Sequence, residues 1–398
     1  MRGSFMSLIS ADNHLAVMAS LFAIAAAGFL IEKTRIGALL TGAVWAIFLA
    51  IIASNIGLIP STAPAYDFVW TYFVPVLIPL FLMKADLKKI FFETTRMAGA
   101  FLLAAVGTVV GAIIAFSLID IGDYAAGTEA ATLGTRQAAA VGAFTATYIG
   151  GSVNYGALMS STGLGAADPS WASAMTAVDN LYSGFFLALL ALMPGWAWLA
   201  KRFKPIDHSE GDDEVEEARP ITAASLCLSA AYALIVVAIG SALADQLDAI
   251  WDDAGRKWKF AIISVLALIP ATAFPKTIGG LRGGYEMGIA LSFVFFAMIA
   301  AGADVISLLQ QAPVLFGLIG IMLAVHAVIV FGVGSVLRLS LPELITASNA
   351  AILGATTAPA LAAAKGWKDL VTPGVLVGVL GYAIGTPIAT LVFELWPG

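Results

Sequence analysis

The sequence predicts an all-α polytopic membrane protein of two inverted structural repeats, each with one discontinuous helix, divided into a core and a scaffold. Three observations predict it. Of 398 residues, 60% are hydrophobic and 12% are charged, at a mean hydropathy of +0.93; a soluble domain carries about 25% charged residues. The apolar sequence falls into runs of the roughly 20 residues that a spanning helix needs. Two polar, glycine-rich interruptions then recur half a chain apart, Thr145-Ala-Thr-Tyr-Ile-Gly-Gly-Ser-Val-Asn154 and Thr346-Ala-Ser-Asn-Ala-Ala-Ile-Leu-Gly-Ala-Thr-Thr357. Backbone that leaves helical geometry at membrane depth is tolerated only where protein or a water-filled cavity surrounds it. Paired broken helices at matching positions of two halves point to the binding site of a secondary transporter.

Twelve spans are expected, at 13–31, 36–58, 67–84, 95–120, 136–162, 171–199, 220–244, 258–275, 284–303, 311–337, 343–364 and 371–396. They divide into scaffold helices of repeat 1 (1–66), core helices of repeat 1 (67–200, with the broken helix 136–162), an acidic linker (201–219), scaffold helices of repeat 2 (220–283) and core helices of repeat 2 (284–398, with the broken helix 343–364). Trp70, Trp171, Trp196, Trp198, Trp251, Trp258 and Trp396 lie near span ends, as interfacial belts do. The halves match in order. Phe81-Leu-Met-Lys-Ala-Asp86 resembles Ala300-Ala-Gly-Ala-Asp304, a long apolar helix follows each, and Ile149-Gly-Gly-Ser152 then lines up with Leu353-Gly-Ala-Thr356.

The basic loop around Lys84, Lys88, Lys89 and Arg96 reads as cytoplasmic, and so do Lys201, Arg202 and Lys204, although three spans separate the two. Twelve spans also place six crossings between the breaks, where inverted repeats need an odd number. One candidate does not span, one span is uncounted, or the repeats are parallel. The repeat pattern outweighs the charge rule, because seven acids between Asp207 and Glu217 offset the linker's basic residues. Those acids also account for the net charge of −6, and no basic patch suggests nucleic acid. Cys227, the single cysteine, rules out a disulfide framework and reads as a buried structural thiol. The N-terminal Met1-Arg-Gly-Ser-Phe-Met6 reads as an added leader with Met6 as the natural start.

At the first break, Gly150 and Gly151 weaken the helix and admit close backbone approach. Thr145, Thr147, Ser152 and Asn154 surround them with hydroxyl and amide oxygens suited to a hard cation, freed half-helix N-termini suit an anionic group, and Tyr155 is expected to face the solute. The second break offers Thr346, Ser348, Asn349, Thr356 and Thr357, closed by Pro359. Asp179, followed by Asn180, lies about eight residues into a span, where an ionised carboxylate is costly and usually marks an ion or proton pathway. Thr176 shares its helical face. His326 reads as a helix–helix hydrogen bond, Arg136 as a headgroup anchor, and His14 and His208 as exposed. No Walker loop, metal-ligand spacing or nucleophile elbow is present, so neither an enzyme nor a cofactor is expected.

The run Thr147-Tyr-Ile-Gly-Gly-Ser-Val-Asn154, the Asp179-Asn180 helix and Lys84-Ala-Asp-Leu87 resemble the YjcL-like membrane proteins (domain of unknown function 819) over nearly the whole chain. More distantly, the chain is similar to bile acid:sodium symporters and sodium/proton antiporters, whose ten-helix inverted-repeat core carries two broken helices crossing near the midplane. The symporters' Gly-Gly-Thr-Ala-Ser-Asn run is one residue shorter here, at Gly150-Gly-Ser-Val-Asn154. This resemblance implies sodium at Ser152, Asn154, Thr176 and Asp179, with Asn180 completing a pair like the antiporters' Asp-Asp or Asn-Asp. The symporters' glutamate in the second broken helix is replaced by Ser348 and Asn349. The expectation is sodium-coupled uptake of a small polar or anionic organic solute by rocking or elevator motion, in a homodimer of the bacterial inner membrane. Sodium/proton exchange is the first alternative, and a non-transporting channel or signalling scaffold the second.

Overall fold

The computed structural model describes residues 7–35, 37, 42–124, 129–209, 220–251, 254–303 and 305–397. Met1–Met6, Asp304 and the linker residues 210–219 therefore lie outside the described residues. Thirteen principal helices follow one another: α1 His14–Glu32, α2 Gly42–Asn55, α3 Pro64–Leu82, α4 Thr95–Leu118, α5 Arg136–Ser161, α6 Pro169–Leu192, α7 Ala223–Asp248, α8 Ala254–Ala273, α9 Gly284–Ala301, α10 Val305–Val336, α11 Leu341–Leu353, α12 Thr357–Ala364 and α13 Val371–Leu395. No strand occurs among the described residues. The chain is an all-α polytopic membrane protein.

Among the described residues, eight helices are long and apolar enough to cross a membrane. Four of the twelve expected spans differ, each for a local reason. Two are the broken helices. The described part of α2 has 14 residues, and α8 carries Arg256, Lys257 and Lys259 in its first two turns. Local starts are conventional. Asn13, Thr135 and Asp168 each accept a backbone N–H at the head of α1, α5 and α6, and Thr222 and Ser340 form capping boxes on α7 and α11. In α3 a π turn at Val69–Phe73 runs into Pro75, which cannot donate to the helical ladder.

Packing is reciprocal between the halves. The hairpin α1–α2 seats α9, and the hairpin α7–α8 seats α3, so each half lends its third helix to the other half's first pair. α4 lies along α10, and α5 lies along α13. Helices α1 and α7 are apolar but mostly exposed, as lipid-facing helices must be, because lipid is as apolar as a core. Cys227 lies on such a face of α7 and is exposed, not buried; an apolar run in a membrane protein does not imply an interior position.

The linker starts as an ordered segment. His208 is 5% exposed, and its Nδ1 faces both Asp369 oxygens, at 2.8 and 3.0 Å. Its Nε2 lies 2.8 Å from Ser340 Oγ, the cap of α11. The expectation that His208 is exposed is therefore corrected by two partners distant in sequence, the buried Ser340 and the half-buried Asp369. Arg136 is likewise paired within the protein, 2.9 Å from Asp168 and between the rings of Tyr124 and Trp171. Burial raises the pKa of the Tyr124 hydroxyl; the Arg136 charge opposes the shift, and Asp168 and Asp123 add to it.

Candidate functional site

α5 leaves helical geometry at Gly150 (φ −138°, ψ 16°) and Gly151 (φ 70°, ψ −175°). The second pair of angles belongs to a region open essentially only to glycine. Gly150 is glycine for a steric reason: a Cβ there would sit 2.2 Å from the Gly381 carbonyl oxygen of α13. Across this contact Asn154 Nδ2 donates to Gly381 O at 3.0 Å, and the Thr386 hydroxyl donates to Asn154 Oδ1 at 2.7 Å. Both ends of the Asn154 amide are thus engaged by α13.

The second interruption separates α11 from α12 at Gly354 (φ 91°, ψ −170°). Its angles match those of Gly151, not Gly150, so the conformational equivalence of the breaks is shifted by one residue from the alignment of Ile149-Gly-Gly-Ser152 with Leu353-Gly-Ala-Thr356. Asn349 spans this break: its Nδ2 donates to Thr357 O at 3.2 Å, and the Thr357 hydroxyl donates to Asn349 Oδ1 at 2.7 Å. Thr346 is buried, its methyl facing Gly374 of α13 and its hydroxyl unpartnered. Thr356 is exposed, with the Tyr285 hydroxyl beside both it and Tyr382.

Tyr382 joins the two breaks. A Cβ at Gly151 would sit 3.7 Å from its Cε1, and one at Gly354 would sit 3.1 Å from its Oη. Phe81 packs on the rings of both Tyr382 and Tyr285, with centroids 5.1 and 5.2 Å away. Tyr382, missed by sequence reasoning, sits in a glycine stripe at 374, 378, 381 and 385 of α13, and that stripe was the readable sign of a close crossing.

Asp179, 4% exposed, lies beside the first break. Thr147 Oγ1 donates to its Oδ2 at 3.3 Å. The Tyr148 hydroxyl lies against the carboxyl, yet Tyr148 Oη and Asp179 Oδ1 are both buried without a hydrogen bond of good geometry. One turn away, the Thr176 hydroxyl donates to Ala172 O at 2.7 Å, which leaves it to accept from Tyr155 Oη at 3.0 Å. Asn180 bonds back to Thr176 O, and Ser152 is half-buried at the head of the second half-helix. Of the expected ion set, Thr176 and Asp179 come together, joined by Thr147 and Tyr155 from the expected solute set, while Asn154 is turned to α13. Ser348 pairs with His326 Nε2 at 2.8 Å.

A buried carboxyl with an unpaired oxygen is costly unless it holds a proton or a cation. Among the described residues, no three His, Cys, Asp or Glu side chains gather as a metal site. Any cation at Asp179 would therefore be held by one carboxylate and neutral oxygens, the donor set of a hard ion.

A family model described as a protein of unknown function (DUF819) matches residues 19–395. The chain is also 28% identical over 406 residues to an uncharacterized membrane protein of Bacillus subtilis (strain 168), YjcL, covering 96% of this chain and 97% of that protein.

Proposed function

The chain belongs to the DUF819 family of proteins of unknown function, and on that premise we propose that it is a secondary active transporter, coupling sodium to uptake of a small polar or anionic organic solute by rocking or elevator-like alternating access. The observation that carries this reading is the meeting of two glycine-broken helices on one tyrosine, beside a buried carboxyl with an unpaired oxygen. Unwound segments of this kind expose backbone dipoles that can replace an ion's or solute's hydration shell. In this reading Asp179, Thr147 and Thr176 hold the coupling ion, and the solute lies between residues 150–154 and 348–357. The reciprocal seating of α3 and α9 supports a duplicated fold, which this reading takes as inverted repeats with α1, α2, α7 and α8 as a scaffold; the reading also holds the protein to be a homodimer of the bacterial inner membrane.

Sodium/proton exchange is the second reading, favoured by the neutral surroundings of Asp179: its carboxyl accepts from the Thr147 hydroxyl and lies against the Tyr148 hydroxyl. Proteoliposomes separate the two. Sodium-dependent counterflow of a labelled solute supports symport, whereas a sodium-driven pH change without organic solute supports exchange. Neither signal, together with unchanged behaviour of Asp179→Asn, would leave a channel or signalling scaffold.

A further inference from the structure

His326 is fully buried in α10 and is linked to both broken helices, directly to α11 and through Thr108 to α5. Its Nδ1 lies 2.9 Å from Thr108 Oγ1 of α4, and Thr108 Oγ1 donates to the Tyr148 carbonyl at 2.9 Å. Its Nε2 lies 2.8 Å from Ser348 Oγ of α11. Phe186 of α6, on the helix that carries Asp179, packs edge-on against the ring with centroids 5.9 Å apart. Four helices therefore converge on one imidazole.

Hydrogen counting fixes the state of the ring. Thr108 has one hydroxyl hydrogen, and the Tyr148 carbonyl, which only accepts, takes it. The contact between Thr108 and Nδ1 then needs a hydrogen on Nδ1. A neutral imidazole has one such hydrogen, so Nε2 accepts and the Ser348 hydroxyl donates. The chain of bonds runs Ser348 to His326 to Thr108 to Tyr148 O, each donor pointing toward the first break.

The Tyr148 carbonyl lies in the last turn before Gly150, where a helix end leaves acceptors to be satisfied from outside. Ser348 lies in the last two turns before Gly354. We propose that His326 is a positioning residue that ties the last turn before the first break to the last turns before the second, so the two half-helices keep one register. The functional consequence rests on the transporter reading: a ligand bound at one break meets the other in fixed geometry. The tie itself is a property of the fold and can be tested without sodium or solute.

The test reads accessibility at the breaks. Ser152→Cys and Thr356→Cys are introduced singly in a Cys227→Ser background, and maleimide labelling rates are measured on purified protein that elutes as one species. Asparagine reproduces the Nδ1 position of histidine, and glutamine reproduces Nε2. His326→Gln and Thr108→Val should raise labelling at 152 about tenfold, the scale of one lost buried hydrogen bond, and leave 356 within about twofold. His326→Asn and Ser348→Ala should do the reverse. Equal changes at both positions in the Asn and Gln variants, or no change at either, would overturn the proposal, because simple ring packing has no reason to separate the two ends. Absence of sodium-dependent transport by the parent protein, with the labelling split intact, would overturn the transporter reading and leave the tie standing.

Discussion

Gly151 and Gly354 hold the same backbone conformation, φ of 70° and 91° with ψ of −175° and −170°, and both face the ring of Tyr382. Each ends a half-helix, and each uses angles that a side chain strongly disfavours. The two cases differ from Gly150, where the obstacle is the Gly381 carbonyl.

The distinction gives a prediction. Gly151→Ala has space for its methyl, so its cost is conformational, about 1–3 kcal/mol. Gly150→Ala meets both backbone and Asn154, so α5 must move off α13 and the loss should be larger. Thermal unfolding in detergent should rank parent above Gly151→Ala above Gly150→Ala. An indifferent Gly151→Ala would mean that the break relaxes to ordinary helix.

Asp179→Asn tests the ion. The amide keeps the shape of the carboxyl and removes its charge, so the fold should persist. A bound ion stabilises by mass action, about 2.7 kcal/mol at 100 times its dissociation constant. The parent should therefore unfold at higher temperature in sodium chloride than in choline chloride, and Asp179→Asn should show no such difference. A sodium shift that survives in the variant would move the ion elsewhere.

Arg96 and Glu343 give a prediction independent of function. The guanidinium makes a two-pronged contact at 2.8 and 2.9 Å, and Glu343, 5% exposed, also accepts Ser340 N at 2.7 Å within the α11 capping box. The fork and the Ser340 N–H are the partners that compensate the buried carboxylate, so removing Arg96 strands Glu343. Arg96→Met should cost about 1–3 kcal/mol, the scale for a buried group left without its partner. Glu343→Gln should cost less, since glutamine also serves a capping box, and Arg96→Lys should fall between, because an ammonium cannot reproduce the fork. Thermal unfolding of the three variants checks the order.

What was legible in the sequence follows from what each signal depends on. The breaks were visible because glycine and hydroxyl clusters are out of place in apolar helices, and Asp179 was visible because charge is. Partner identity was not visible. Asn154 looks like a ligand in isolation, yet its amide is turned to Gly381 and Thr386, more than 200 residues away. Cys227 and His208 were misplaced for opposite reasons: lipid rewards exposure of the apolar α7 face, and a polar linker still buries a histidine when Asp369 and Ser340 can receive it. The one-residue shift between the breaks depends on φ and ψ, which identity alone does not carry.

Tyr382 tests whether the two breaks form one site. Its ring separates Gly151 from Gly354, and its hydroxyl lies beside that of Tyr285, which also neighbours Thr356. Tyr382→Phe keeps the ring contacts with Phe81 and both glycines and removes only the hydroxyl, so stability should change by about the 0.5–1.5 kcal/mol of one hydrogen bond. Tyr382→Ala empties the space between the half-helices and should cost about 3–5 kcal/mol, as aromatic truncations in packed interiors do. If the solute lies between the breaks, Tyr382→Phe should weaken its binding more than it weakens the fold, read as a smaller solute-induced thermal shift at nearly unchanged parent stability. If the hydroxyl only braces Tyr285, the shift should be retained while stability alone falls, and the solute must then be sought on another face of the breaks.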